Sequence, residues 1–189
     1  MRITGGSLRG RPLVAPADTR VRPTADKVRQ AVFNILTHKD FGIGFSLEGA
    51  RVADLFAGTG ALGIEALSRG ARFCLFVDDS AESRALIRRN VEALELTGVT
   101  KIWRRDATQL GLMSAGSGGP FTLAFLDPPY RKALMTPALG ALREGGWLAP
   151  DALVVAETAE DEPSVTADGF RQLDSRTYGD TRVEFLALA

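Results

Sequence analysis

Residues 54–63 read Asp-Leu-Phe-Ala-Gly-Thr-Gly-Ala-Leu-Gly. Gly58, Gly60 and Gly63 spell G-x-G-x-x-G between an apolar run, RVADLFA (51–57), and a helix-patterned run, ALGIEALSRG (61–70). Between a strand and a helix this spacing is a nucleoside-binding fingerprint, because glycines let the chain turn sharply and let a ligand approach the backbone. Asp54 discriminates among nucleoside cofactors. A nicotinamide dinucleotide presents a pyrophosphate, which wants a helix N-terminus and no nearby carboxylate. S-adenosylmethionine carries a sulfonium and an ammonium and no phosphate, so an acid at Asp54 favours it.

Working outward, strands and helices alternate. RFCLFVD (72–78) reads as a second strand, residues 80–96 as a helix stopped by Gly98, and VTKIWRRD (99–106) as a third strand. A Gly- and Ser-rich loop (114–119) leads into a fourth strand, FTLAFLD (121–127). Residues 132–145 form a helix with Pro137 at an early turn or a kink, ALVVAET (152–158) is a fifth strand, and 170–179 with 181–188 close the chain as an antiparallel pair. Upstream, Gly5, Gly6 and Gly10 suggest a small hairpin over 1–15. Thr24 caps a helix whose Val28, Val32, Ile35 and Leu36 share one face, and 40–50 is a loop. The pattern predicts an α/β, Rossmann-like fold with a seven-stranded, mostly parallel sheet and a C-terminal antiparallel strand pair.

Ligands in such sheets bind beyond the carboxyl ends of the strands. Asp78 ends the second strand, 20 residues after Gly58, where an acid can accept from ribose hydroxyls; the adjacent Asp79 competes for that role. Asp106, with Ala107 beside it, ends the third and could bond an adenine amine. The fourth ends in Asp127-Pro128-Pro129-Tyr130. Two prolines fix the backbone and remove two N–H donors, so a carboxylate, a rigid carbonyl and an aromatic face project together. That set suits a planar base with an exocyclic amine: Asp127 and the Pro128 carbonyl accept its hydrogens and stabilise developing positive charge, while Tyr130 stacks on the ring.

The 189-residue chain has 23 basic and 23 acidic side chains, a neutral total that taken alone argues against a polyanionic partner. The neutrality is a cancellation. Residues 1–30 carry seven basic and two acidic groups, leaving 16 and 21 for the remainder, so a +5 arm sits on a −5 body and can serve as a handle for a nucleic acid. The single cysteine, Cys74, excludes a disulfide framework and a Cys-rich zinc site, and no metal is expected. The N-terminus lacks the apolar core of a secretory signal and no stretch is long enough to span a bilayer, so the expected location is cytoplasmic, without a membrane partner. His38 is read as a helix-end residue, and Trp103 and Trp147 as core or rim packing.

Three further strings carry a resemblance. Asp127-Pro128-Pro129-Tyr130 is similar to the catalytic motif of amino-group methyltransferases acting on nucleic-acid bases, and residues 54–63 look like their cofactor motif. RITGGSLRGRPL (2–13), RVRPTADKVRQAVFNIL (20–36) and GALGIEALSRGA (60–71) resemble one narrower family, the bacterial RsmD-like guanine-N2 methyltransferases of small-subunit ribosomal RNA. The resemblance implies a class I S-adenosylmethionine-dependent methyltransferase domain (41–189) behind a basic N-terminal extension (1–40) that contacts RNA. It makes Asp127, Pro128 and Tyr130 catalytic. Gly58 and Gly60 would line the methionine side, Asp78 the ribose and Asp106 the adenine; Arg9, Arg11, Arg22, Lys27 and Arg29 would lie on RNA. Arg131 and Lys132 are placed to meet a phosphate near the target. One departure is visible: the family pattern of Glu followed two residues later by Asp is here Asp78-Asp79-Ser80. The implied substrate is an assembling small-subunit particle and the enzyme a monomer. Rival readings are a DNA adenine or other base methyltransferase, disfavoured by the lack of a long target-recognition insertion, a nicotinamide-dependent oxidoreductase, and a non-catalytic RNA-binding assembly factor.

Overall fold

A computed structural model describes the backbone of residues 1–17 and 23–189, and the side chains of 1–17 and 25–189. The elements in chain order are α1 (Pro23–His38), β1 (Arg51–Leu55), α2 (Ala61–Ser68), β2 (Phe73–Val77), α3 (Ala81–Ala93), β3 (Thr100–Trp103), β4 (Phe121–Leu126), α4 (Met135–Glu144), β5 (Leu148–Ala159), β6 (Phe170–Tyr178) and β7 (Thr181–Leu188). The seven strands form one sheet in the order β3-β2-β1-β4-β5-β7-β6. β1 to β5 run parallel, and β7 returns antiparallel to both β5 and β6. The order reverses between β1 and β4, which is where a doubly wound sheet opens a crevice.

Both faces of the sheet's centre are covered, which is why β1, β2 and β4 are largely apolar, whereas the edge strand β6 is polar and mostly exposed. One face packs Val52, Cys74, Phe76, Leu123, Phe125, Val155 and Phe185 against α1, α2, α3 and the N-terminal segment. Phe33 of α1 lies 5.5 Å from Phe125, ring centre to ring centre. The opposite face carries α4, and there Trp147 is buried with its ring edge-on to Trp103 at 5.9 Å.

Three boundaries differ from the sequence reading. α1 begins at Pro23, so Thr24 lies inside the first turn instead of capping it; proline suits that position because a first-turn N–H needs no helical partner. α3 stops at Ala93, with Glu95 at φ 59°, before Gly98 is reached. β5 extends over twelve residues, starting before the apolar run that announced it. Residues 1–13 do form a hairpin-like arm, with an antiparallel bridge between Arg2 and Pro12. Pro137 falls in the first turn of α4. Among the described residues no helix is long and apolar enough to cross a membrane, and no His, Cys, Asp or Glu cluster could hold a metal ion.

Candidate active site

Side chains alternate between the two faces of a strand, so residues two apart share a face. Asp54 pairs in register with Phe125 of β4, and Phe125 with Val155 of β5. The next residues on that face, at the carboxyl ends of the same strands, are Phe56, Asp127 and Glu157. Parity alone therefore brings three acids to one edge of one face. They line a cleft of about 470 Å³ together with Gly58, Thr59, Tyr130, Tyr178, Asp180, Thr181 and, from the N-terminal arm and α1, Met1, Ala25, Val28 and Arg29.

The loop after β1 is shaped for close approach. Phe56 adopts φ 56°, a left-handed conformation costly for a side-chain-bearing residue, and Gly60 caps α2 at φ 79°. Gly63 is required by packing: a Cβ there would stand 2.5 Å from Cys74 Sγ and Phe76. Its N–H instead donates to Asp54 Oδ2 at 2.9 Å. The Gly58 N–H donates to Asp78 Oδ2, also at 2.9 Å, and the Ser80 N–H to Asp78 Oδ1. Asp78 is thereby tied to the glycine turn, whereas Asp79 is exposed.

The acids of the cleft carry no cation partner among the described residues. Asp54 is fully buried, and burial pushes its carboxyl up to about 8, with Asp78 adding repulsion. Asp127 is half-buried and accepts no hydrogen bond from the described residues; desolvation, Glu157 and Asp54 together hold it well above the usual carboxylate range. Burial raises Glu157 too, against a hydrogen bond from Tyr130 that lowers it. The Tyr130 hydroxyl donates to Glu157 Oε1 at 2.9 Å and lies 3.2 Å from Thr181 Oγ1. Burial and Glu157 raise Tyr130, so it stays a phenol.

The N-terminal arm is bolted to this site. Glu65 of α2, wholly buried, accepts from Arg29 at 3.2 Å, from Arg69 at 3.0 Å, and from the Thr4 N–H. Arg29 also reaches Asp26 and the Arg2 carbonyl. Asn90 of α3 joins Val14 of the arm to the Thr59 carbonyl of the glycine turn.

Of the residues singled out in the sequence, the cleft brings together Asp54, Gly58, Asp127, Tyr130 and Arg29. Gly60 and Asp78 stand directly behind Gly58. Pro128 and Ala107 are buried and do not line the cleft, and Asp106 is exposed and caps Thr108 through Oδ1. Arg29, expected on RNA, is 5% exposed and held in the Glu65 cluster. Arg9 and Lys27 are exposed; Arg11 is exposed and donates to the Ala93 carbonyl at the end of α3. Arg131 is 62% exposed and doubly bonded to Asp161, each raising the other's preference for its charged form. Arg22 lies outside the described residues. The sequence reading passed over Glu157 and Glu65. Both left a signal: a lone acid in the apolar run ALVVAET, at a strand's carboxyl end, and a lone acid in the apolar helix ALGIEALS.

Comparison with known proteins gives one picture. A family model described as "Conserved hypothetical protein 95" matches residues 1–187. YlbH of Bacillus subtilis, a candidate rRNA methyltransferase, is 39% identical over 97% of this chain and 96% of its own. The ribosomal RNA small subunit methyltransferase D of Escherichia coli K12 is 36% identical, over 89% of this chain and 80% of its own. Among solved structures, that of yhhF from Escherichia coli, a candidate methyltransferase, superposes with a TM-score of 0.79 at 27% identity, covering 100% of this chain and 97% of that one.

Proposed function

This chain belongs to the family described as conserved hypothetical protein 95, that of the ribosomal RNA small subunit methyltransferases D, and from that premise we propose that it methylates the exocyclic N2 amine of a guanine in small-subunit rRNA, using S-adenosylmethionine, on an assembling particle in the cytoplasm. One observation carries the chemical part. Asp127 holds a half-buried carboxyl that accepts no hydrogen bond from the described residues, in the same cleft as the glycine turn and beside Tyr130. Withdrawing an acid from water without a partner is costly unless a ligand completes it.

The donor set fits this cofactor. Asp54, Asp127, Glu157 and Asp180 line the cleft, and the one cationic side chain among its described lining residues, Arg29, is engaged by Glu65 and Asp26. Such a cleft suits a sulfonium and an ammonium and repels a pyrophosphate, which disfavours the nicotinamide reading. Gly58, Gly60 and Asp54 would hold the methionine part, Asp78 in preference to Asp79 the ribose, and Asp106 with Ala107 the adenine. When bound, S-adenosylmethionine supplies an electrophilic methyl carbon.

The chain's own residues do the rest. A guanine amine is a poor nucleophile because its lone pair is delocalised into the ring. Asp127 accepts one amine hydrogen and the Pro128 carbonyl the other, which favours a more tetrahedral nitrogen and stabilises positive charge as it develops. The Tyr130 ring, fixed through its hydroxyl by Glu157 and Thr181, stacks on the base. Asp127, whose proton affinity is raised, then takes the proton. To reach the cleft the guanine leaves its stack. Arg9, Arg11, Lys27 and Arg131 would hold nearby phosphates; Arg29 would act as a brace of the arm instead.

The test is to incubate the protein with labelled cofactor and, in parallel, undermethylated small subunits, free rRNA and DNA, and to map the label. Label on a guanine N2 of the small-subunit RNA supports the reading. Label on a DNA adenine, or tight NAD(P) binding without S-adenosylhomocysteine binding, refutes it.

A further inference from the structure

The mechanism above gives Glu157 no task beyond anchoring Tyr130, yet its position has more to offer. Leu126 of β4 pairs with Ala156 of β5, and Asp127 and Glu157 are the next residue on each strand. The two acids therefore stand side by side on the same face of the sheet, both lining the cleft. Glu157 Oε1 is taken by the Tyr130 hydroxyl, which fixes the carboxylate plane. Its second oxygen accepts nothing from the described residues. Asp127 accepts nothing at all from them. The cleft thus presents two adjacent acceptors with open valence and no donor between them.

Two adjacent acceptors are complementary to two adjacent donors. On the Watson–Crick edge of guanine the N2 amine lies next to the N1–H, and both are donors. On adenine and on cytosine the amine lies next to a bare ring nitrogen, whose lone pair would face a carboxylate. We propose that Glu157 accepts the N1–H of the target guanine while Asp127 accepts from its N2 amine, so that Glu157 is the residue that selects guanine. This deepens the function proposed above and rests on it. Both acids bind protons more tightly than usual, Glu157 through desolvation and Asp127 through desolvation with Glu157 and Asp54 beside it, and two further donors from a guanine edge would relieve that cost.

2-Aminopurine isolates the claim, because it keeps the 2-amine and lacks the N1–H. Small-subunit RNA is assembled with either guanine or 2-aminopurine at the mapped target, and kcat/KM is measured for both with the wild-type protein and with Glu157→Gln. A site built to bond a ring N–H rejects an analogue without it strongly, so the wild type should prefer guanine by roughly 100-fold or more. In Glu157→Gln the amide can donate to the bare nitrogen, and the preference should shrink at least about tenfold. If Glu157 only anchored Tyr130, the variant would slow both substrates alike and leave the ratio fixed; that result overturns the inference and leaves the proposed function standing. A wild-type enzyme indifferent to 2-aminopurine overturns it as well, without recourse to any variant. A wild-type enzyme that labels no guanine amine overturns both.

Discussion

Glu65 and Asp127 are both carboxylates withdrawn from bulk water, Glu65 wholly and Asp127 in part, and they are treated in opposite ways. Glu65 sits on α2 with no exposed surface and receives two guanidinium groups, Arg29 and Arg69, together with the Thr4 backbone and hydroxyl. Asp127 sits at the end of β4 and receives nothing from the described residues. A buried charge whose bonds are all made is a structural joint, in this case between the N-terminal arm, α1 and α2. One whose bonds are left open in a cleft is costly to the free protein, and in the proposed function a ligand completes it. Removing each should therefore damage different things.

Asp127→Ala is expected to give the largest effect, a loss of methyl transfer of at least about 10³-fold, since in the proposed mechanism it removes the acceptor of the developing charge. Its thermal stability should be unchanged or higher above pH 7, because an unpartnered acid has gone. Single-turnover rates and melting curves check both halves. A variant that loses stability and keeps its rate would reverse the contrast. Glu65→Ala should behave oppositely. It strands Arg29 and Arg69 around an empty site and should cost about 3–5 kcal/mol of unfolding free energy, read from urea midpoints. If urea unfolding of Glu65→Ala matches wild type, the joint is idle.

The contrast also shows what could be read from residues alone. The alternation of strands and helices, the glycine turn and the acids that close β1 and β4 are local signals, and the sheet follows them: Asp54 and Asp127 fall on one face because their strands pair in register. Partnership is not local. Nothing in VRPTADKVRQ distinguishes Arg29 from Lys27, yet one is buried against a residue 36 positions away and the other is exposed. Glu157 left a signal as the lone acid of ALVVAET, but its partnership did not show, since its neighbours Asp127, Tyr130 and Thr181 come from the segment after β4 and from β7. Helix ends misread by a few residues, as at Gly98, reflect competition between a glycine signal and the packing that ends α3 earlier.

Asp54 sharpens the comparison through pH. Its folded value, about 8, lies above the ordinary 3.8, so between those values the unfolded chain has released a proton that the folded chain retains. Its contribution to stability is then complete below about pH 4 and is lost as pH rises toward 8, at up to about 1.4 kcal/mol per pH unit. Asp127 and Glu157, also raised, push in the same direction. Urea midpoints of the ligand-free protein should fall from pH 5 to pH 8, and Asp54→Asn should flatten part of that slope. A cationic cofactor favours the ionised acids, so its affinity should rise over the same interval. A midpoint independent of pH would mean that these acids have partners after all.

The smallest expected effect concerns the same residue type in two settings of one arm. Arg29 is enclosed by Glu65, Asp26 and the Arg2 carbonyl, whereas the heads of Arg9 and Arg11 stand at the surface, Arg11 against the end of α3. Exposed guanidinium groups contribute to RNA binding by displacing counterions, each adding about 0.7 to the slope of log affinity against log salt for single-stranded RNA. Replacing Arg9 and Arg11 by Ala should therefore lower that slope by about 1.4 and leave both stability and cofactor affinity intact. Arg29→Ala should do the reverse, weakening the fold and moving the salt slope only as far as the arm itself is displaced. Filter binding of small-subunit RNA at several salt concentrations, beside urea unfolding of both variants, separates the two. Equal slopes for the double variant and wild type would remove the arm from the RNA interface, and the charge on residues 1–30 would then need another explanation.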